Sequence, residues 1–304
     1  MPIDGSLETA LSHGPVVIDG GLSNQLEAGG HDLSDELWTA RLLRDDPSAI
    51  ADAHLAYYEA GASVVLTASY QVSFAGFARH GIPASETAKL LHRSVSLARS
   101  ARDRYPGPPR PLWIAASVGP YGAALADGSE YRGRYGLSAA QLHDFHRPRM
   151  EALAEAGPDL FAIETIPDVE EAEVLVRIAA ELDIPVWLSY TVDGTSTRAG
   201  QPLAEAFALA AGVPRVIATG INCSAPGDAP AAIALAAEVT GKPVVVYPNS
   251  GEVWDAAARR WTGRASLAPE DVRSWVRAGA KLLGGCCRVG PAEIAELATA
   301  VATP

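Results

Sequence analysis

Eight short apolar runs recur along this chain, and each is followed by a stretch with helical patterning. The runs are Pro15–Gly20, Ser63–Ser69, Leu112–Val118, Leu160–Thr165, Pro185–Thr191, Val216–Cys223, Pro243–Pro248 and Lys281–Cys286. They are rich in Val, Ile and Leu and show little alternation with polar residues, the pattern of parallel strands covered on both faces. Helix starts fall between them. Asp46-Pro47 reads as an N-cap followed by proline at the first helical position, and Ser138-Ala139-Ala140-Gln141 reads as a capping box. Pro167-Asp168 and Pro269-Glu270 mark two more starts. Eight strands alternating with eight helices, the last at Pro291–Val301, predict a (β/α)8 TIM barrel in which residues 1–304 form one domain. A doubly wound open sheet is the alternative. It usually has fewer strands, and no Gly-x-Gly-x-x-Gly follows the first run here. An apolar content of 48% is ample for such a core.

The connections are unequal. Helix-to-strand links are short, as at Gly61-Ala62, Gly157-Pro158 and Gly279-Ala280. Strand-to-helix links are long at Gly20–Asp46, Gly119–Leu137 and Asn249–Ala268. In a barrel the latter crown the face that carries the active site.

The polar residues that end the runs therefore share one rim. They include Asp19-Gly20, Thr67, Glu164, Asn222-Cys223, Asn249 and Gly285-Cys286-Cys287. All three cysteines of the chain lie at such ends, and the run ending in Cys223 is two strands from the run ending in Cys286. Three isolated thiols are commonly just small buried hydrophobes. Their joint placement instead favours a metal site on Cys223, Cys286 and Cys287; a strained vicinal disulfide is a third option. Thiolates suit Zn²⁺, whereas Mg²⁺ and Ca²⁺ take oxygen ligands. The seven histidines all lie at or before position 146, none at a strand end, so a fourth protein ligand is not apparent. Three protein ligands with one open position mark a catalytic zinc. Such an electron-rich site suits a substrate thiol better than water. A zinc hydrolase or lyase is the competing chemistry, without a His-x-x-x-His pattern to support it.

Asp19 and Glu164 read either as loop caps or as a clamp for a cationic group such as an α-amine. Backbone amides around Gly20-Gly21 and Gly284-Gly285 are candidates for binding the carboxylate of the same substrate. Tyr121, Glu130 and Tyr131 on the third-strand loop and Trp254 on the seventh are lid or donor-site candidates, with Asp127 an alternative to Glu130. The aromatic groups would face a cation.

The net charge of -12 and pI near 5.0 argue against nucleic acid or an anionic membrane as partner. No uncharged apolar run approaches the roughly 20 residues that span a bilayer. The first residues lack the basic and apolar regions of a signal peptide. Three cysteines make a poor disulfide framework. A cytoplasmic protein, monomeric or a small homo-oligomer, is expected.

The chain resembles the homocysteine S-methyltransferases. The likeness runs through Asp19-Gly20-Gly21, Tyr57-Tyr58-Glu59-Ala60-Gly61-Ala62, Thr67-Ala68-Ser69-Tyr70-Gln71 and Ser117-Val118-Gly119-Pro120-Tyr121-Gly122. It continues through Gly128-Ser129-Glu130-Tyr131-Arg132-Gly133, Glu164-Thr165, Gly220-Ile221-Asn222-Cys223, Tyr247-Pro248-Asn249-Ser250-Gly251-Glu252 and Gly284-Gly285-Cys286-Cys287-Arg288. The resemblance implies a (β/α)8 barrel, zinc on the three cysteines and homocysteine as methyl acceptor. It also implies that Asp19 and Glu164 hold the homocysteine amine, with Thr67 close by. The likeness is strongest to the branch using S-methylmethionine, and often S-adenosylmethionine, as donor. Betaine as donor and selenocysteine as acceptor are alternatives on the same scaffold. Ser23-Asn24-Gln25 departs from close relatives, which more often have a small residue, then Thr and Glu.

Overall fold

The computed structural model describes residues 5–33, 39–255 and 260–303; the side chains of residues 253–255, 260 and 261 lie outside that description. Eight strands form one parallel sheet: β1 (Val16–Val17), β2 (Val64–Leu66), β3 (Trp113–Val118), β4 (Leu160–Ile166), β5 (Val186–Tyr190), β6 (Val216–Asn222), β7 (Val244–Tyr247) and β8 (Ala280–Leu283). Their order is β1-β8-β7-β6-β5-β4-β3-β2. The ends meet through a parallel bridge between Ile18 and Val64. Ser63 N donates to Val17 O at 2.8 Å and Asp19 N to Val64 O at 3.0 Å. The sheet closes on itself, so the barrel expectation holds and the open-sheet alternative does not.

The expected helix starts are present. Asp46 accepts from Ala49 N ahead of Pro47–Glu59, and Ser138 and Gln141 form the reciprocal box ahead of Ala139–Glu155. Asp168 caps Val169–Glu181 by accepting from Glu170 N. These caps satisfy amides that a helix start would otherwise leave bare.

The core has two parts. Between strands and helices lies a continuous layer that includes Ile50, Leu91, Val95, Phe161, Ile163, Leu175, Val246 and Ile294. Inside the barrel a second cluster joins Ile18, Val64, Trp113, Leu160, Trp187, Val245, Tyr247 and Leu282. The helix Leu7–His13, which the strand-and-helix pattern did not anticipate, adds Leu7 and Leu11 to that inner cluster, and Trp113 Nε1 donates to Gly5 O at 2.9 Å. It plugs the barrel end opposite the active face, because an open strand end would leave apolar side chains in water. Gly220 of β6 lies where a Cβ would come within 1.8 Å of Val245 O, so only glycine allows this strand to pack against β7. Among the described residues, no helix is long and apolar enough to cross a membrane.

His54, on the core side of Pro47–Glu59, is fully buried, and neither ring nitrogen has a hydrogen-bond partner. Burial lowers its pKa to about 4, so the folded protein holds it neutral. The unfolded chain takes up the proton near 6.5. Stability is therefore complete above that pH and falls as pH drops toward 4, with about 2 kcal/mol lost by pH 5. Urea unfolding of wild type and His54→Leu at pH 7.5 and 5 should show that the variant loses about 2 kcal/mol less on acidification. Equal losses would refute the assignment.

Candidate active site

The carboxyl ends of the strands surround a cavity that opens to solvent. Asp19, Gly20, Thr67, Glu164, Cys223, Gly285, Cys286 and Cys287 all line it, as do Glu130 and Tyr131 from the loop after β3. Two short 3-10 turns, Tyr121–Leu125 and Ser129–Tyr131, shape that loop.

The three Sγ atoms lie within 4.8 Å of one another, and those of Cys223 and Cys287 are 3.7 Å apart. A disulfide would place sulfurs at about 2.0 Å. Three sulfurs about 2.3 Å from a tetrahedral metal would stand about 3.8 Å apart, so the spacing and the thiol donor set fit a soft metal. The backbone fixes each cysteine. Cys223 directly follows β6 with φ 51°, and its N donates to Tyr247 O at 3.2 Å. Cys286 N donates to Pro248 O at 2.8 Å, and Cys287 N to Asn249 Oδ1 at 3.1 Å. Hydrogen bonds from Cys223 and Cys286 hold the Cys287 thiol well below the usual range, while the same contacts push Cys286 up.

Across the rim, Asp19 Oδ2 accepts from Leu66 N at 2.8 Å and Glu164 Oε1 accepts from the Ser117 hydroxyl. Burial raises Asp19 well above the ordinary carboxylate range against the Leu66 hydrogen bond, and the nearby Glu164 adds to the effect. Burial likewise raises Glu164 to about 7, opposed by hydrogen bonds from Ser117 and Tyr247. Two buried carboxylates that repel each other form a seat for a cation. Thr67 lies beside them, its hydroxyl 2.7 Å from that of Ser69 and accepting from Ser117 N at 3.1 Å.

Other candidates stand differently. Asn222 does not line the cavity. Its Oδ1 accepts from Thr165 N and from the Ser189 hydroxyl, both at 2.7 Å, and its Nδ2 donates to the Thr165 hydroxyl at 2.7 Å. Those bonds hold Thr165 at φ 58°, directly after Glu164. Asn249 bonds the cysteine turn, as above. Of the glycine amides expected to bind a carboxylate, three already donate to backbone: Gly21 to Val289 O at 2.8 Å, Gly284 to Val246 O at 3.2 Å and Gly285 to Asp19 O at 3.0 Å. What the Gly285 position needs is absence of a side chain, since a Cβ there would meet Val289 Cγ1 at 2.1 Å.

Tyr121 packs between Tyr135 and Phe145, with ring centroids at 5.2 and 4.8 Å, and its N donates to Glu171 Oε1 at 2.6 Å. It anchors the loop and does not face the cavity. Tyr131 does face it, with its hydroxyl 3.0 Å from Cys223 Sγ. Asp127 is exposed and accepts from the amide and hydroxyl of Ser129. Trp254 lies on a hairpin strand, Val253–Asp255, with its side chain outside the described residues. Tyr70, Ser117, Thr165 and Tyr247 also line the cavity and were not anticipated as site residues. Ser117 and Tyr247 sit in strand ends, a signal that the apolar reading of those runs passed over.

The sequence profile of a family described as homocysteine S-methyltransferase matches residues 16–301. The chain is 46% identical over 291 residues to homocysteine S-methyltransferase of Escherichia coli (strain K12), covering 93% of this chain and 94% of that one. It is 46% identical over 306 residues to homocysteine S-methyltransferase 4 of Zea mays, covering 95% and 90%. Its structure aligns with the metallated form of the homocysteine methyltransferase MmuM from Escherichia coli at a TM-score of 0.88 and 41% identity, covering 97% and 99%. The apo form of MmuM aligns at 0.75 and 35% identity, covering 94% and 95%. With this barrel, this rim of cysteines and carboxylates, and these relatives along nearly its whole length, the chain belongs to the homocysteine S-methyltransferase family of methyltransferases.

Proposed function

We propose that the protein moves a methyl group from a sulfonium donor to the sulfur of homocysteine, giving methionine, with zinc held by Cys223, Cys286 and Cys287. One observation carries this reading: a trio of sulfurs and a pair of carboxylates, Asp19 and Glu164, line the same cavity. Those are partners for the two ends of an amino thiol. The all-sulfur donor set and its spacing support zinc. Family membership sets aside the hydrolase and lyase readings.

When bound, zinc would acidify the substrate thiol and supply a thiolate at neutral pH. The chain does the rest. Asp19 and Glu164 hold the homocysteine ammonium and so aim its sulfur at the rim. The homocysteine sulfur attacks the donor methyl in line. A new S–CH₃ bond forms, the old one breaks, and its electron pair stays on the donor sulfur as a neutral thioether; the thiol proton leaves to solvent. An anion and a cation thus become two neutral products. The lid turns around Tyr131 keep the site dry, which disfavours the separated charges more than the transition state. The aromatic rings of Tyr70 and Tyr131 line the same cavity and are suited to neighbour a sulfonium.

Methionine formation from homocysteine should be measured with S-methylmethionine, S-adenosylmethionine and betaine side by side on the zinc-loaded protein. Turnover with a sulfonium and none with betaine is expected. Turnover with betaine alone, or with no donor, overturns the donor assignment.

A further inference from the structure

Among the described residues, three carboxylates line the cavity, and no Lys, Arg or His does. Asp19 and Glu164 project from strand ends and are tied to Leu66 N and Ser117; they are the pair proposed above to hold the acceptor's ammonium. The third, Glu130, comes from the lid. It lies in the turn Ser129–Tyr131, next to the residue whose hydroxyl is 3.0 Å from Cys223 Sγ. Its Oε2 is buried and has no hydrogen-bond partner, and no ion pair to it occurs among the described residues. The turn is held from below. Gly122 packs so tightly that a Cβ there would come within 2.4 Å of Glu130 N, and Gly133 N donates to Ser129 O at 3.0 Å. The nearby Asp127 points away, bonded to Ser129.

A buried carboxylate oxygen without a partner is costly unless a ligand supplies one. The acceptor's ammonium is matched by Asp19 and Glu164, so the ligand for Glu130 is the donor. Two charges on a sulfonium amino acid compete for it. The sulfonium has no N–H or O–H to give, and its charge vanishes as the methyl leaves. A carboxylate against it would stabilise the bound substrate more than the transition state. The α-ammonium has hydrogen-bond donors and keeps its charge throughout.

Resting on the sulfonium-donor reading above, we propose that Glu130 anchors the α-ammonium of the methyl donor and so selects a sulfonium amino acid over donors without N–H groups. Because the ammonium charge is the same in ground and transition states, Glu130 contributes to KM for the donor and little to kcat.

The test compares wild type with Glu130→Gln, which keeps size and one acceptor, using zinc-loaded protein. The donors are S-methylmethionine and its deaminated analogue, (3-carboxypropyl)dimethylsulfonium. The variant should raise KM for S-methylmethionine by about 10–100-fold, the value of a charge-assisted hydrogen bond. Its kcat and its KM for homocysteine should change by less than about threefold, and the deaminated donor should work equally poorly with both proteins. A rise in KM for homocysteine would place Glu130 with the acceptor and overturn the proposal. So would equal losses for the two donors, or no change at all. Calorimetric binding of S-methylmethionine separates this from failure of the reaction itself. If wild type makes no methionine, tenfold tighter binding to wild type than to Glu130→Gln still supports the ammonium site, and equal or absent binding refutes it.

Discussion

Cys287→Ala is expected to strip the metal and cut methionine formation by at least about 10³-fold. Its Sγ stands 3.7 Å from that of Cys223, and its amide is held by Asn249, so it is one of three donors set in a rigid turn. Two remaining thiols make a poor site for a tetrahedral ion. Without the metal, a free thiol of pKa near 8.5 is only about 3% thiolate at pH 7, a loss of about 30-fold in nucleophile. Loss of the sulfur's fixed position adds at least as much again. Metal per chain by plasma emission and methionine by chromatography read the two effects separately. Cys287 is half-buried on the rim and outside the packed layers, so circular dichroism and melting temperature should stay near wild type. Full metal content with full activity in the variant would refute the three-thiolate site.

The second large effect is on acceptor binding. Glu164→Gln should raise KM for homocysteine by about 10²–10³-fold with a smaller change in kcat, since a buried ion pair that loses one partner costs about 3–5 kcal/mol. The ammonium charge does not change during methyl transfer, which is why kcat is affected less. The ligand-free carboxyl titrates near 7 because burial disfavours its charge. The sign of the pH dependence follows: below 7 the group is protonated and must lose that proton to pair with an ammonium. KM for homocysteine in wild type should therefore fall as pH rises from 5.5 to 7 and then level off. Steady-state kinetics across that range should show the falling limb in wild type and a flat line in Glu164→Gln. A limb that survives in the variant would assign the titration to another group.

The barrel was legible because two-face burial demands runs such as Val244–Tyr247 and Val216–Asn222 that are apolar on both sides, and little else produces eight of them. The cysteine trio was legible for the same reason: once the strands are known, their carboxyl ends converge. The helix Leu7–His13 was missed because a segment of about two turns carries too little periodicity. Its role depends on a barrel floor that is not local in sequence. Their positions put Asn222 and Asn249 on the rim, among the candidates for touching substrate. Position at a strand end does not say which way a side chain turns. Thr165 and Cys223 both adopt positive φ, which breaks the alternation of faces just where the strands stop. Tyr121 and Tyr131 share one loop, yet one packs against Phe145 and the other reaches Cys223, because the two 3-10 turns rotate them apart.

The sequence by itself determined the barrel, the rim on which the chemistry sits, the three sulfurs and the two strand-end carboxylates, since each follows from local patterning and chain order. Only the tertiary structure decided which polar groups still have an unused hydrogen-bonding capacity. Gly21, Gly284 and Gly285 give their amides to backbone carbonyls, Asn222 gives its side chain to Thr165 and Ser189, and Asp127 turns to Ser129. Glu130 keeps a buried oxygen bare. A hydrogen bond is a matter of ångströms between residues far apart in the chain, and no pattern along the chain carries that information.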